Sequence, residues 1–260
     1  SRPILVASTD GVGTKLRVAS LMGRYESLGV DLVNLNVNDV ITYGAKPLFF
    51  LDYLSMEKLD ARVVEPLLAG MSQACSLIEC ALIGGESAQA PGLYASDSFD
   101  LAGTIVGAVE QADIIDGAGV KEGDLLLGLP SSGLHTNGFS LVRKVFEVDE
   151  NPSVLSRRYE TLDRELGEEL LVPHRCYYPM LEPLYPEIKA MAHISGGGLV
   201  GNIPRALPHG LAAQIRGDSW EVPAIFSLIQ KVGTLDLDEM YQVFNMGLGM
   251  VLICDFKNVD

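Results

Sequence analysis

Short apolar runs alternate with helical stretches along the whole chain, and this alternation constrains the fold more than any other feature. Each run is rich in β-branched or apolar residues and ends near a polar or glycine-containing turn, which is typical of a strand. The predicted strands are 4–7, 31–37, 48–53, 81–83, 100–109, 124–129, 190–194, 211–215 and 250–254. The predicted helices are 63–79, 140–146, 166–171, 177–184, 200–206 and 224–231. This mixture predicts an α/β or α+β fold.

The chain has 260 residues, which is long enough for two domains of ordinary size. Turn-forming residues are concentrated at 111–123, and the polar segment 149–165 predicts a surface excursion. We therefore place a domain boundary in the first of these segments. It separates an N-terminal domain of residues 1–112 from a C-terminal domain of residues 113–260.

The chain is acidic, with 19 Lys and Arg residues against 34 Asp and Glu residues and a net charge of −15. No basic cluster is present, which argues against a nucleic-acid surface. No apolar run approaches the ~20 residues that span a bilayer, so we expect no membrane contact and a cytoplasmic location. The four cysteines form no C-x-x-C pair, and we expect buried thiols in a reducing compartment.

The most informative polar motif is the octapeptide 8–15, which follows the predicted strand 4–7. Its members offer hard oxygen ligands for Mg²⁺, glycines that let backbone N–H groups approach a phosphate, and a cation. The residues that carry this prediction are Asp10, Gly11, Gly13, Thr14 and Lys15. Asp-Gly is also an ordinary turn former, so the motif alone leaves both interpretations open.

Two further acids follow predicted strands. Asp39, preceded by Asn38, follows the predicted strand 31–37, and Glu86 follows Gly84 and Gly85 after the strand 81–83. Helix capping is an alternative role for Asp39. If the strands share one sheet edge, Asp10, Asp39 and Glu86 converge there, and three converging carboxylates need a cation. The sequence thus predicts a shared metal–phosphate site.

Two polar loops complete the candidate site. The loop 131–138 precedes a predicted helix and suits an anion, and His135 in it is a candidate general acid or base or a phosphate donor. A capped surface loop is the alternative. The second loop, 193–198, carries a glycine triplet that favours a backbone approach to an anion. The candidate substrate-binding residues are Ser131, Ser132, Gly133, His135, Thr136, Asn137, His193, Gly196, Gly197 and Gly198.

The remaining distinctive residues predict ordinary structure. We expect His174 and His209 at the surface, because neither belongs to a pattern. Trp220 and the pair at 49–50 predict packing. The segment 244–250 has glycine at alternate positions before a strand, which predicts either a tight backbone crossing or a functional loop.

Taken together, these motifs resemble the phosphoribosylformylglycinamidine cyclo-ligase family, the aminoimidazole ribonucleotide synthetases of purine biosynthesis. The matches keep the order of the family and run nearly end to end. The matching stretches are STDGVGTK (8–15), VND (37–39), PLFFLDY (47–53), GGESA (84–88), SSGLHTNGFSLVR (131–143), HISGGG (193–198) and MYQVFNMGLGM (240–250).

The resemblance implies ATP-dependent closure of formylglycinamidine ribonucleotide to aminoimidazole ribonucleotide. By position it implies Asp10, Asp39 and Glu86 as Mg²⁺–ATP carboxylates, Lys15 as a phosphate neighbour, and His135, Asp39 and Lys15 as catalytic groups. The 131–138 and 193–198 loops then handle the substrate. It also implies an N-terminal α/β domain whose sheet closes into a barrel across a homodimer, and a C-terminal α/β domain with the active site in the cleft between them.

Three departures from the family accompany the resemblance. Gln89 stands where the family commonly has Glu, and family members extend further than this chain at both ends. Two other functions remain open. One is another ATP user of the same superfamily, such as thiamine-phosphate kinase; the other is a non-catalytic nucleotide-binding module. A Rossmann dehydrogenase lacks support, because no G-x-G-x-x-G opens a helix after a strand.

Overall fold

The computed structural model describes residues 2–95 and 98–258, which form two sheets with helices packed around them. The strands in this part of the chain are β1 (Pro3–Gly11), β2 (Lys46–Met56), β3 (Ala81–Gln89), β4 (Phe99–Glu110), β5 (Leu125–Pro130), β6 (Ile188–His193) and β7 (Leu248–Cys254). The α-helices are α1 (Lys15–Met22), α2 (Glu26–Ile41), α3 (Ala61–Leu77), α4 (Phe139–Val145), α5 (Leu166–Leu170), α6 (Tyr178–Leu181), α7 (Gly198–Asn202), α8 (Ala224–Gly233) and α9 (Leu237–Val243). This is the mixed α/β content that the sequence predicts, and no described helix is long and apolar enough to cross a membrane.

The first sheet has the strand order β1-β4-β2-β3. The β1–β4 and β4–β2 pairs are antiparallel, and β2 and β3 are parallel, joined by α3. α2 packs on one face, where a Cβ at Gly103 would lie 2.2 Å from Cζ of Phe50 and 3.1 Å from Cγ of Leu32. α3 packs on α2 just as closely, since a Cβ at Gly29 would lie 2.1 Å from the carbonyl oxygen of Leu67.

The other face of this sheet is apolar and uncovered. By the strand register, Leu5, Phe49, Val106 and Tyr53 point to this face, because residues paired across strands share a face. Leu5 is 70% exposed and Tyr53 is 47% exposed. A sheet face of this kind marks an interaction surface rather than a solvated one.

The second sheet has the order β5-β7-β6, and both pairs are antiparallel. All seven residues of β7, the central strand, are buried. A single buried apolar cluster includes residues of both sheets, such as Phe50 and Ile105 of the first and Met250 and Leu252 of the second. The two sheets therefore share one hydrophobic core.

The predicted strand 31–37 is wrong, because these residues lie inside helix α2. Most of α2 is buried, so apolar residues occur on all its faces and hide the helical period. Its polar residues keep that period: Asp31, Asn34 and Asn38 are three and four residues apart and share one face of the helix. Asp39 therefore projects from a helix and not from a strand end.

Other differences concern where strands end. The predicted strand 211–215 has no strand structure, and helices α1 and α9 were not predicted. β1 extends through Gly11 and β3 through Gln89, so Asp10 and Glu86 lie within strands. Gln89 accepts a hydrogen bond from the backbone N–H of Leu59 at 3.0 Å, which is a structural role.

A buried ion pair joins α1 to α2. Lys15 Nζ lies 2.8 Å from Asp31 Oδ2, both side chains are fully buried, and Nζ also donates to the carbonyl of Val172 at 2.9 Å. Burial lowers the pKa of Lys15 and raises that of Asp31, and each partner opposes the shift of the other. The pair therefore holds its charges only while both members are present.

We expect Lys15→Met to destabilise the fold by about 3–5 kcal/mol, because it leaves the Asp31 carboxylate buried without its partner. The double variant Lys15→Met/Asp31→Leu should regain most of the loss, since it removes both charges. Urea unfolding followed by circular dichroism measures both. Arg62→Met is the matched control at an exposed pair with Asp60, and its midpoint should not move. A double variant no more stable than Lys15→Met contradicts the assignment.

Candidate active site

The polar face of α2 holds an extended segment of the C-terminal half of the chain. Asp31 Oδ1 accepts a hydrogen bond from the backbone N–H of His174 at 2.6 Å. Asn34 Nδ2 donates to the carbonyl of His174 at 2.7 Å, and Asn38 Nδ2 donates to that of Arg175 at 2.8 Å. These buried side chains satisfy backbone groups of a segment without regular structure, and they fix the position of His174.

His174 lies in a cluster with two predicted site residues. His193 Nδ1 is 2.8 Å from Asp39 Oδ1, and His193 Nε2 is 3.2 Å from His174 Nε2. The rings of His174 and His135 stack with centroids 3.9 Å apart and an angle of 21° between them. Ser8 Oγ donates to the other oxygen of Asp39 at 2.9 Å. Residues distant in sequence thus form one connected group, and the prediction of His174 at the surface is wrong.

Burial sets the protonation of the cluster. It lowers the pKa of His135 and of His174 well below the usual histidine value, and the neighbouring His193 adds to both shifts. Both rings are therefore neutral at pH 7. His135 Nε2 accepts the backbone N–H of Ser132 at 3.1 Å, so its proton lies on Nδ1, a buried atom without a partner. His135 therefore carries a buried N–H donor that no described group accepts.

The 244–250 segment holds the 131–138 loop in place by hydrogen bonds. Asn245 Nδ2 donates to the carbonyl of Gly133 at 2.9 Å, and Ser131 Oγ donates to Asn245 Oδ1 at 3.1 Å. A Cβ at Gly249 would lie 2.5 Å from Cε1 of His135, so only glycine leaves room for the ring. The alternating glycines are thus a tight crossing. Sequence reasoning missed the role of Asn245, whose side chain the loop depends on.

The three predicted metal carboxylates do not converge within one chain. Asp10 and Asp39 are close enough to interact: burial raises the pKa of Asp10, the backbone N–H of Gly11 lowers it, and the Asp39 carboxylate raises it. Glu86 lies on β3 at the opposite edge of the sheet from β1, about three strand spacings or ~14 Å away. No cluster of three His, Cys, Asp or Glu side chains with metal-binding geometry occurs in residues 2–95 and 98–258. Of the three predicted carboxylates, only those of Asp10 and Asp39 lie close enough together to fit one cation.

Other predicted nucleotide residues have structural contacts. Lys15 is fully buried against Asp31, so it offers no ammonium group to a phosphate, and its predicted phosphate contact needs correction. Gly85 makes room for Asp52, because a Cβ there would lie 2.3 Å from Asp52 Oδ1. Gly84 and Gly85 therefore lie with Glu86, away from the histidine cluster.

The 8–15 motif reaches the 131–138 loop directly. Thr14 Oγ1 lies 3.1 Å from Ser140 Oγ, and a Cβ at Gly13 would lie 4.0 Å from the carbonyl oxygen of Thr136. Gly13 has φ +63°, which favours glycine, and α1 begins two residues later. In the first turn of α1 the backbone N–H groups of Leu16 and Arg17 donate to the carbonyls of Gly13 and Thr14. The two motifs thus border one region.

In the 193–198 loop the glycines also serve packing. Asn202 Nδ2 donates to the carbonyls of Gly198 at 2.8 Å and Gly196 at 3.2 Å. Gly197 and Gly198 have φ of +98° and +59°, and a Cβ at Gly198 would lie 2.1 Å from the carbonyl of Tyr241. Its predicted anion contact stays a prediction.

A cleft of about 360 Å³ opens beside the Asp39–His193 pair. Its walls come from α2, from the segment after β4, from β6 and from the turn after α7. Arg205 is the one Lys or Arg side chain among the described residues that line it. Sequence reasoning missed Arg205, which stands in no motif. The cleft joins the carboxylates of Asp39 and Asp116, an imidazole and a guanidinium in one space.

Comparisons with known proteins agree with this organisation. Residues 2–109 match the family described as AIR synthase related protein, N-terminal domain, and residues 121–258 match its C-terminal domain. Among solved structures, a thiamine-monophosphate kinase from Stenotrophomonas maltophilia shares the fold, with a TM-score of 0.64 at 15% identity, over 100% of this chain and 76% of that one. The hydrogenase maturation protein HypE in complex with ATP has a TM-score of 0.63 at 15% identity, over 98% and 70%.

Sequence relatives are much closer. A phosphoribosylformylglycinamidine cyclo-ligase from Caldicellulosiruptor bescii is 51% identical over 100% of this chain and 77% of its own length. One from Bifidobacterium animalis subsp. lactis is 49% identical over 100% of this chain and 76% of its own length. Both alignments extend over the two matched domains. The chain belongs to the phosphoribosylformylglycinamidine cyclo-ligase family.

Proposed function

We propose that this chain closes the imidazole ring of aminoimidazole ribonucleotide from formylglycinamidine ribonucleotide, with ATP converted to ADP and phosphate. The observation that carries the proposal is the meeting of Asp39 and His193 at one cleft, in a chain about half identical to named cyclo-ligases. Relatives at this identity support the substrate assignment. The solved structures share only the fold.

The chemistry requires activation of a carbonyl. The amide oxygen attacks the γ-phosphorus of ATP and ADP leaves, which turns a poor leaving group into a phosphate ester. The amidine nitrogen then attacks the carbon that bears the phosphorylated oxygen and loses a proton, and inorganic phosphate departs. The protein must hold the γ-phosphate and the amide oxygen in line, and this is a task of positioning and electrostatics.

Asp10 and Asp39 are the residues that would hold Mg²⁺, since their carboxylates interact and a cation would relieve the repulsion. When bound, the ion neutralises charge on the ATP phosphates. Gly11, Gly13 and Thr14 border the same region from β1 and the start of α1. We assign the nucleotide to this side of the cluster.

His135 and Arg205 serve the substrate in this proposal. The Nδ1–H of His135 is a buried donor without a protein partner, and it suits an oxygen of the reacting amide or of its phosphate ester. Arg205 supplies positive charge to the cleft, which suits the 5′-phosphate of the ribonucleotide. His193 and Ser195 of the 193–198 loop line the same cleft as Arg205.

The direct test is a coupled assay of ADP release with chromatographic detection of aminoimidazole ribonucleotide. We expect both products in equal amounts when Mg²⁺, ATP and formylglycinamidine ribonucleotide are present. ADP release only with thiamine phosphate or selenide would contradict the proposal. Binding of Mg²⁺–ATP by calorimetry without turnover would instead support a non-catalytic nucleotide-binding module.

Asp39→Asn should lower turnover at least about tenfold, because it removes one of two carboxylates that face the metal and weakens the contact with His193. Steady-state kinetics with varied Mg²⁺ measures the loss. Asp163→Asn, at an exposed site outside the cleft, is the matched control and should leave turnover unchanged. Wild-type turnover and ATP affinity in Asp39→Asn would remove Asp39 from the site.

We further propose that the chain acts as a homodimer in the cytoplasm. The uncovered apolar face of the first sheet, with Leu5 and Tyr53 exposed, supports a second copy as its cover. A dimer through this face brings two such sheets together, as the barrel of the family does. The four cysteines are all free thiols, which suits a reducing compartment.

Leu5→Glu should convert the dimer to a monomer, because it places a charge on the apolar sheet face. Sedimentation velocity at a series of protein concentrations measures the change. Leu77→Glu is the matched control: Leu77 is 73% exposed, and it lies on α3, behind the opposite face of the sheet. Dissociation by the control alone, or a dimeric Leu5→Glu, would refute the assignment of this face.

A further inference from the structure

His174 lies between two residues of the candidate site, although no sequence motif includes it. It is 1% exposed, and both its backbone polar groups bind α2. Its ring stacks on His135 on one side and meets His193 on the other. A side chain held this firmly transmits its own geometry to both neighbours.

The hydrogen bonds in the cluster form one chain. A carboxylate oxygen accepts, so His193 donates to Asp39 from Nδ1. The other nitrogen of His193, Nε2, lies 3.2 Å from His174 Nε2, and one hydrogen bond joins the two rings there. On its other side, His174 Nδ1 lies 3.4 Å from Thr136 Oγ1.

We propose that His174 is a positioning residue that orients His193 through the hydrogen bond between their Nε2 atoms and that supports the ring of His135 by stacking. His174 thereby keeps His193 Nδ1 directed at Asp39 through a chain that runs from Thr136 to Asp39. Its consequence for turnover rests on the proposed function. Its consequence for the state of His193 does not, because that state is a property of the free protein.

Two substitutions separate the two parts of this role. His174→Phe keeps a flat ring for His135 but has no ring nitrogen for the hydrogen bond with His193. His174→Gln loses the ring but keeps an amide that can donate or accept at a similar position. A residue that serves packing alone predicts that Phe is the better substitute, whereas the proposed hydrogen bond predicts Gln.

The first measurement is ¹⁵N NMR of the histidine side chains at pH 7 without ligands. We expect the Nε2 resonance of wild-type His193 to have the position of a hydrogen-bonded ring nitrogen. His174→Phe should shift this resonance to that of a ring nitrogen without a hydrogen-bond partner, and His174→Gln should keep it near the wild-type position. An unchanged His193 resonance in His174→Phe would overturn the proposal.

The second measurement is steady-state kinetics of the same variants. Loss of one hydrogen bond predicts a fall in kcat of about fivefold in His174→Phe, with KM for ATP within about twofold of wild type. His174→Gln should recover most of the loss. His209→Phe, at an exposed histidine, is the matched control and should have no effect. A His174→Phe variant no more impaired than His174→Gln would overturn the proposal.

Two outcomes are kept apart by this design. A wild-type protein without cyclo-ligase turnover refutes the proposed function, and the NMR comparison still decides the role of His174. If His174→Phe does not fold, as judged by circular dichroism, His174→Met replaces it. Methionine also lacks a ring nitrogen, so the same shift of the His193 Nε2 resonance is expected, and its absence would equally overturn the proposal.

Discussion

The polar face of α2 is the constraint on which the rest of the site depends. Its carboxylate and amides take the place of a neighbouring strand for the backbone around His174, a segment from the other half of the chain. The Asp31 carboxylate can stay charged in the interior only because Lys15 neutralises it. An interior ion pair at the start of α1 thus sets the position of an imidazole in the active cluster. Lys15 contributes to function through structure, without reaching a phosphate.

Much of the fold is readable from the sequence, because most strands are short apolar runs between clear turn signals. The failure at 31–37 has a physical cause. A helix buried on nearly all sides loses the contrast between an apolar and a polar face, and its alternating residues then resemble a strand. The three- and four-residue spacing of Asp31, Asn34 and Asn38 was the available signal. The predicted strand 211–215 failed because an apolar run alone does not supply a partner strand.

The candidate site was predictable in its motifs and not in its contacts. The order of the short polar motifs predicted Asp39, His135 and His193 in one site. In the structure Asp39 contacts His193, and His135 stacks on His174, which lies beside His193. The sequence placed His174 at the surface, since a lone histidine beside a proline carries no pattern. The predicted convergence of Glu86 with Asp10 and Asp39 failed for a geometric reason. The order of strands in the sheet decides which strand ends are neighbours, and no single motif specifies that order.

The shared core has a consequence for how substrates enter and leave. Buried side chains of the first sheet and of the second belong to one packed cluster, so the two halves are not separated by a weakly packed interface along which they could move apart. A hinge at this boundary would have to break core contacts at every catalytic cycle. Access to the cleft must therefore come from movement of its bordering loops, on a framework that behaves as a single rigid block. Heat or denaturant should likewise unfold both halves in one transition, with no partly folded intermediate that still binds nucleotide.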